Sequence, residues 1–250
     1  MNAFSPATPS VSLIIPAYNE VESLTKTIDE AHAYFDAHRI THEIITAVEG
    51  DDGTVELAQS LSAAHEYVRA ITHSGRRGKG FAVRSAMELA TGDIVGFTDA
   101  DNKTPVDEFD LVLAAFTQGA DLVIGSRGLA GARIERPRHW YRRVGAGVFA
   151  RFVHAAVGLR DVPDTQCGFK FFRRDVARNL FSRQVIDGYM FDVEILCLAA
   201  EAGYRLVQVP VRWRDDRDSR LRLIGGNVRN VADIRQIRRN RLARRRTSTG

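Results

Sequence analysis

The sequence predicts one α/β domain built on an open, mostly parallel sheet flanked by helices, with a less regular C-terminal half. Three observations carry that expectation. Short apolar runs alternate with segments of helical period from Val11 to Gly125. Polar or glycine-rich turns follow several of those runs at the edge where open α/β sheets bind ligands. The chain has 250 residues, of which 44% are hydrophobic and 26% charged, a globular composition with enough length for a sizeable core.

The elements follow in order. Residues 1–10 are rich in Ser, Pro and Thr and are expected to fray. Val11–Ile15 reads as a buried strand stopped by Pro16, and Asn19-Glu20 opens a helix with Leu24, Ile28, Ala31 and Phe35 on its apolar face. Glu43–Val48 is the second strand, followed by the turn Glu49–Gly53 and a helix through Leu57 and Leu61. Val68–Thr72 is the third strand, and the loop Ser74–Gly80 leads into a helix through Val83, Met87 and Leu89. Ile94–Phe97 is the central strand, a helix covers Phe109–Phe116, and Leu122–Gly125 is the fifth strand. Beyond Arg127 the alternation stops. A basic loop (Gly128–Pro137), a helix (Trp140–Val157), a strand (Gly168–Phe172), a helix (Asp192–Ala202) and a strand (Arg205–Trp213) are expected there. A terminal helix over Asn227–Arg246 carries a thin stripe of Val231, Ile234 and Ile237. The boundaries are therefore 1–10, a domain over 11–226 with halves at 11–127 and 128–226, and a basic segment at 227–250.

The net charge of +4 is not spread over the domain. From Arg235 to the C-terminus there are seven arginines and no acidic residue; setting them aside leaves 28 basic against 31 acidic residues in 1–234, a net of −3. That argues against a nucleic-acid-binding face and leaves a tail able to touch an anionic membrane surface. Only Cys167 and Cys197 occur, so neither a disulfide framework nor a CxxC metal site is written, and a reducing cytoplasmic setting is expected. No apolar stretch approaches the ~18 residues of a membrane span, and the N-terminus lacks a signal-peptide pattern.

The chemistry concentrates at Phe97-Thr98-Asp99-Ala100-Asp101-Asn102. Two carboxylates one residue apart in extended backbone point the same way, and such a pair suits Mg²⁺ or Mn²⁺, whose other positions go to substrate phosphates. An isolated Asp-x-Asp is as readily an acidic turn before a helix. Further groups arrive at the same edge: Pro16-Ala17-Tyr18-Asn19-Glu20 from the first strand, Gly78-Lys79-Gly80 from the third, and Gly125-Ser126-Arg127 from the fifth.

This ordered set resembles the inverting family-2 glycosyltransferases of GT-A fold, and within them the polyprenyl-phosphate (dolichyl-phosphate) sugar synthases of the glucosyl branch. The resemblance covers residues 10–222. Its more specific parts are Asp164-Thr-Gln-Cys-Gly-Phe-Lys170, Phe191-Asp-Val-Glu-Ile195, and Val209-Pro-Val-Arg-Trp213 leading to Asp218-Ser219-Arg220. It implies a nucleoside diphosphate sugar as donor, with a lean to UDP-glucose, and Pro16, Ala17, Tyr18, Glu20, Lys79, Asp99 and Ala100 as donor-binding residues. It implies Asp101 as the metal ligand, with Asp99 on metal or ribose, and Arg127, Arg143, Arg217 and Ser219 around an acceptor phosphate. Arg127, Asp164 and the two aspartates form the expected catalytic set. One departure concerns the turn after the second strand, where the resembling proteins carry Asp-Asp-Gly-Ser. Here it reads Glu49-Gly50-Asp51-Asp52-Gly53, which leaves either Glu49 or Asp51 to meet the base.

Two acceptor classes follow, with different demands. A phosphate monoester, such as a polyprenyl phosphate at the inner membrane face, has a second pKa of ~6 and is ionised without help. A small-molecule hydroxyl, used by a soluble enzyme of natural-product or polysaccharide assembly, needs a base within hydrogen-bond reach, with Asp164, Asp192 and Glu194 as candidates. A non-catalytic nucleotide-sugar-binding protein is the reading from another class. Cys167 and Cys197 read as core residues.

Overall fold

A computed structural model describes residues 9–135, 153–214 and 225–247, with side chains in the last segment from 229 to 244. The strands are β1 (Val11–Tyr18), β2 (His42–Glu49), β3 (Val68–Thr72), β4 (Ile94–Thr98), β5 (Leu122–Ser126), β6 (Arg133–Ile134), β7 (Phe169–Arg173), β8 (Leu206–Pro210) and β9 (Arg212–Trp213). The helices are α1 (Leu24–Ala37), α2 (Thr54–Ala64), α3 (Lys79–Met87), α4 (Phe109–Thr117), α5 (Arg174–Phe181), α6 (Phe191–Glu201) and α7 (Gly225–Thr247). Residues 153–157, the described end of the expected Trp140–Val157 helix, are helical.

Seven strands form one sheet in the order β3-β2-β1-β4-β7-β5-β8. β1 pairs in parallel with β2 on one side and with β4 on the other. The chain thus reverses its direction of travel across the sheet at β1, which opens a crevice beyond the carboxyl ends of β1 and β4. β7 runs antiparallel between β4 and β5, with Thr98 opposite Phe169. That inversion brings the segment Asp164–Gly168, which precedes β7, to the same edge as the ends of β4 and β5.

Both faces of the sheet are covered, which is why its strands read as continuous apolar runs. Side chains alternate between the two cores. Leu13, Ile15, Ile44 and Val48 join Leu24, Ile28 and Phe35 of α1 and Phe109 and Phe116 of α4. Ile14, Ile45, Val95 and Phe97 join α3, α5 and α6 on the other face.

Several expectations shift. α1 begins at Leu24 rather than at Asn19-Glu20, because Asn19 takes a left-handed φ of +56° and Glu20–Ser23 form a turn. α3 ends at Met87 and leaves Leu89 exposed. The expected Arg205–Trp213 strand is two: Pro210 has no N–H to continue a ladder, and β9 instead pairs with β6 in a separate two-stranded sheet. α5 was not anticipated; its buried Val176, Ala177, Leu180 and Phe181 have helical spacing, but over only eight residues.

α7 docks on the domain through Ile234 and Ile237, both buried in the α3–α6 core. Arg241 and Arg244 pair with Glu201 at 3.2 and 2.7 Å. No helix among the described residues is long and apolar enough to cross a membrane.

Candidate active site

β4 ends at Thr98, and Asp99–Asn102 form a turn closed by the Asn102 N–H on the Asp99 carbonyl at 3.1 Å. Asn102 takes φ +47°, a conformation Asn tolerates better than most residues. Its side-chain amide donates to Glu30, while the Thr27 hydroxyl donates to the Ala100 carbonyl at 2.7 Å, so α1 pins the turn from one side. The two aspartates therefore sit on a turn and not in extended strand, and the period-two argument for their shared direction does not apply. What aims them is the surrounding packing. Gly168 accepts the Asp99 N–H at 3.2 Å, and a Cβ at Gly168 would lie 2.0 Å from Asp99 Oδ2. Only glycine allows β7's lead-in to approach so closely.

Each carboxylate already faces an ammonium group. Lys79 Nζ is 2.5 Å from Asp99 Oδ1, and Lys103 Nζ is 2.6 Å from Asp101 Oδ2. Burial opposes the charge on Lys79, but Asp99 and Asp192 outweigh it and push its pKa above the ordinary lysine value. The glycines flanking Lys79 have a packing reason. A Cβ at Gly78 would meet the Asp187 carbonyl at 2.5 Å, and one at Gly80 the Ile186 carbonyl at 2.6 Å. Arg84 secures the same contact, with Nη2 2.8 Å from Asp187 Oδ1.

Arg127, just past β5, is clamped by Asp164. Nε donates to Oδ2 at 2.7 Å, Nη2 to Oδ1 at 2.8 Å, and the backbone N–H to Oδ2 at 3.0 Å. The guanidinium also lies 5.3 Å from the Trp213 ring centre. Burial alone would raise the Asp164 pKa, yet the Arg127 hydrogen bonds and charge hold it below the usual carboxylate range. Asp192 is committed as well: the Lys170 ammonium donates to its Oδ1 and to the Cys167 carbonyl, both at 2.6 Å, with the two side chains 0% and 4% exposed. Burial raises the Asp192 pKa, and Lys170 and Lys79 offset part of that rise. Glu194 accepts the Val185 and Ile186 N–H groups at 3.0 and 2.8 Å, away from the aspartate turn. All three candidate bases thus have internal partners. Burial pushes the Cys167 thiol up to about 11, which leaves it a core residue.

On the β1–β2 side, Tyr18 is paired in register with Glu49. Tyr18 is 41% exposed, with the Arg76 guanidinium 4.4 Å from its ring centre. Glu49 is buried; Oε2 accepts the Arg77 N–H at 3.0 Å and Oε1 has no hydrogen-bond partner. Asp51 and Asn19 instead exchange two 3.0 Å hydrogen bonds that lace the turn to β1. Glu20 accepts the Ser23 hydroxyl at 2.9 Å. Ala17, Ala100 and Glu49 are buried, and of the β1 residues Pro16, Ala17 and Tyr18 only Tyr18 is exposed. Arg143, Arg217 and Ser219 lie outside the described residues.

Sequence reasoning passed over Lys103 and assigned no role to Lys170. A lysine inside the apolar run Phe169–Phe172 was the available signal, because a buried ammonium must be paired. No cluster of three or more His, Cys, Asp or Glu able to hold a metal occurs among the described residues. The donor set still fits a hard dication that takes two carboxylates, here Asp99 and Asp101, and completes its shell with phosphate oxygens. When bound, such an ion would neutralise charge developing on a leaving diphosphate.

Comparisons with known proteins bear on the family and the fold. A dolichyl-phosphate beta-glucosyltransferase of Drosophila melanogaster is 35% identical over 225 residues, covering 84% of this chain and 69% of that protein. One from Trichomonas vaginalis is 32% identical over 247 residues, covering 94% and 72%. Among solved structures, glucosyl-3-phosphoglycerate synthase of Mycobacterium tuberculosis in complex with Mn²⁺, uridine diphosphate and phosphoglyceric acid superposes with a TM-score of 0.69 at 21% identity, over 92% of this chain and 78% of its own. Mannosyl-3-phosphoglycerate synthase of Rubrobacter xylanophilus gives a TM-score of 0.67 at 19% identity, over 95% and 74%. Those structures share the GT-A fold. The Glycosyl transferase family 2 profile matches residues 12–181, from β1 through the aspartate turn to the end of α5, and the chain belongs to that family.

Proposed function

We propose that this glycosyltransferase moves glucose, with inversion, from UDP-glucose to a polyprenyl phosphate, with Mg²⁺ or Mn²⁺ held by Asp99 and Asp101. The donor and metal assignment draws on the aspartate turn and on fold neighbours crystallised with Mn²⁺ and UDP-glucose. The acceptor assignment draws on relatives named for dolichyl phosphate. One observation carries it chemically: Asp164, Asp192 and Glu194 are each engaged by an internal partner. A hydroxyl acceptor needs a base within hydrogen-bond reach, a role that favours a carboxylate not already committed to a partner. A phosphate acceptor is already its own nucleophile near neutral pH, since its second pKa is ~6.

In this reading Tyr18 and Glu49 meet the nucleoside, and Lys79 takes part of the diphosphate charge. Arg127 is oriented by Asp164 so that its Nη1 edge, the one Asp164 does not engage, is the part left for the acceptor phosphate. The test is incubation with UDP- and GDP-sugars plus polyprenyl phosphate, with products read by mass spectrometry. A glucosyl-phosphoryl-polyprenol formed from UDP-glucose is expected. Transfer only to a small hydroxyl acceptor such as phosphoglyceric acid, with none to the lipid, would overturn the acceptor assignment.

The partner surface is α7. Its apolar side is spent on the domain, while Arg235, Arg238 and Arg239 are exposed. Near an anionic leaflet each basic residue contributes about 1 kcal/mol. Reversing these three to Glu is therefore expected to lower binding to phosphatidylserine vesicles by roughly 100-fold or more at low salt. Equal co-sedimentation of the reversed and unchanged proteins would count against a membrane role. Truncation after Asn230 is the poorer experiment, because it removes buried Ile234 and Ile237, each contributing about 1.5–3 kcal/mol.

A further inference from the structure

The aspartate pair is not an open acidic site. Lys79 approaches Asp99 from the first turn of α3, and Lys103 approaches Asp101 from the turn itself. Both lysine side chains are largely buried, 17% and 16% exposed, so neither ammonium is a loose surface charge. Lys103 is also anchored along its backbone. Its N–H donates to Asp101 Oδ1 at 3.4 Å, and its carbonyl accepts the Arg214 N–H at 2.8 Å, which ties the turn to the end of β9. Two carboxylates and two ammonium groups sum to zero. A bare dication approaching them must share each ligand with a hydrogen-bonded cation or displace it, and in either case sits beside two ammonium groups. A nucleoside diphosphate changes the balance, because its phosphate oxygens supply anionic partners for the displaced ammonium groups.

We propose that Lys103 and Lys79 are resident counter-ions of Asp101 and Asp99, so that a divalent cation enters this site only together with a nucleoside diphosphate. Lys103 is the decisive member, since it holds the principal metal ligand. The exchange moves no covalent bond: each carboxylate trades an ammonium for the metal, and each ammonium trades a carboxylate for a phosphate oxygen. Metal and donor then bind as one unit, and the empty enzyme does not load free metal ion. This inference rests on the metal assignment above and extends it to two lysines.

The experiment reads metal occupancy and not turnover. Mn²⁺ is titrated into the full chain with and without saturating UDP, and free Mn²⁺ is followed by electron paramagnetic resonance. Wild type is expected to bind Mn²⁺ at least tenfold more tightly with UDP than without it, roughly the worth of one charge-assisted contact. Lys103→Met is expected to bind bare Mn²⁺ about tenfold or more tightly than wild type does, on the same basis. Lys103→Arg, which keeps the charge, should behave as wild type, and Asp101→Asn should bind little Mn²⁺ in either condition. Should Lys103→Met fail to give a cooperative thermal melt, Lys103→Gln makes the same comparison with a polar neutral side chain. Bare-Mn²⁺ affinity in the neutral variant equal to or below wild type overturns the role of Lys103, with the metal assignment intact. Wild-type Mn²⁺ binding that ignores UDP overturns the coupling. Absence of Mn²⁺ binding even with UDP overturns both the coupling and the metal assignment.

Discussion

Lys170→Met should destabilise the protein by about 3–5 kcal/mol, the usual consequence of removing one partner of a buried ion pair. Asp192 would be left in a site where its own side chain is 4% exposed, and the Cys167 carbonyl would lose its ammonium donor. Chemical denaturation reads the loss directly, and a change below about 1 kcal/mol would mean that water or another cation reaches Asp192. The double variant Lys170→Met/Asp192→Leu should recover much of the deficit, since replacing both partners by apolar groups avoids the unpaired charge. The pH dependence follows from the direction of the Asp192 shift. Burial already raises that carboxyl in the native protein, with Lys170 opposing the rise. Without Lys170 it rises further, so the folded variant takes up a proton more readily than the unfolded chain does. The penalty is then fully present above the folded pKa and shrinks as pH falls through it. Activity should suffer beyond stability, because Lys170 holds the lead-in to β7 that presses Gly168 against Asp99 and carries Asp164 to Arg127.

Much of the N-terminal half was legible because its physics is local. Val11–Ile15, Glu43–Val48 and Ile94–Phe97 are apolar on both faces, and both faces are covered by helices; continuous runs leave little ambiguity. The edge at which Tyr18, Lys79, Asp99 and Arg127 gather follows from parallel strands sharing one carboxyl end. What the sequence did not disclose is non-local. The antiparallel direction of β7 depends on its insertion between β4 and β5, and no property of Phe169-Lys170-Phe171-Phe172 announces that. The partner of Lys170 lies 22 residues away and that of Arg127 lies 37 away. Periodicity cannot see such pairs. Gly78 and Gly80 illustrate the same limit: the small residues admit the backbone of the 186–188 segment, a contact across about 100 residues. The turn after β2 is similar. Glu49 and Asp51 were equivalent on paper, but Asp51 Oδ1 is tied to Asn19 while Glu49 keeps a buried oxygen without a partner, a difference that motif spacing does not reveal.

Asp101→Ala should lower sugar transfer by at least about 10²–10³-fold, the scale of losing one preorganised electrostatic contact to a charge that develops in the transition state. The chemistry makes no covalent demand on the chain. Its difficulty lies in the negative charge appearing on the leaving diphosphate, and the carboxylate pair, through the metal it would hold, is the means of neutralising it. Asp101 is the sharper probe of the two. Asp99 is packed against Gly168 and ion-paired with Lys79, so its removal disturbs β7 and α3 together. Asp101 is 31% exposed, and apart from the Lys103 groups no hydrogen bond or ion pair of its carboxylate is recorded among the described residues. Its loss unpairs only Lys103, so the thermal midpoint should fall less than it does for the matching Asp99 variant. Transfer rates at saturating UDP-glucose with Mn²⁺ or Mg²⁺, set beside thermal melts, separate the two effects. A variant that keeps more than a tenth of wild-type activity, or a wild-type enzyme that works at full rate in excess chelator, would remove Asp101 from the metal and return the aspartate turn to a structural role.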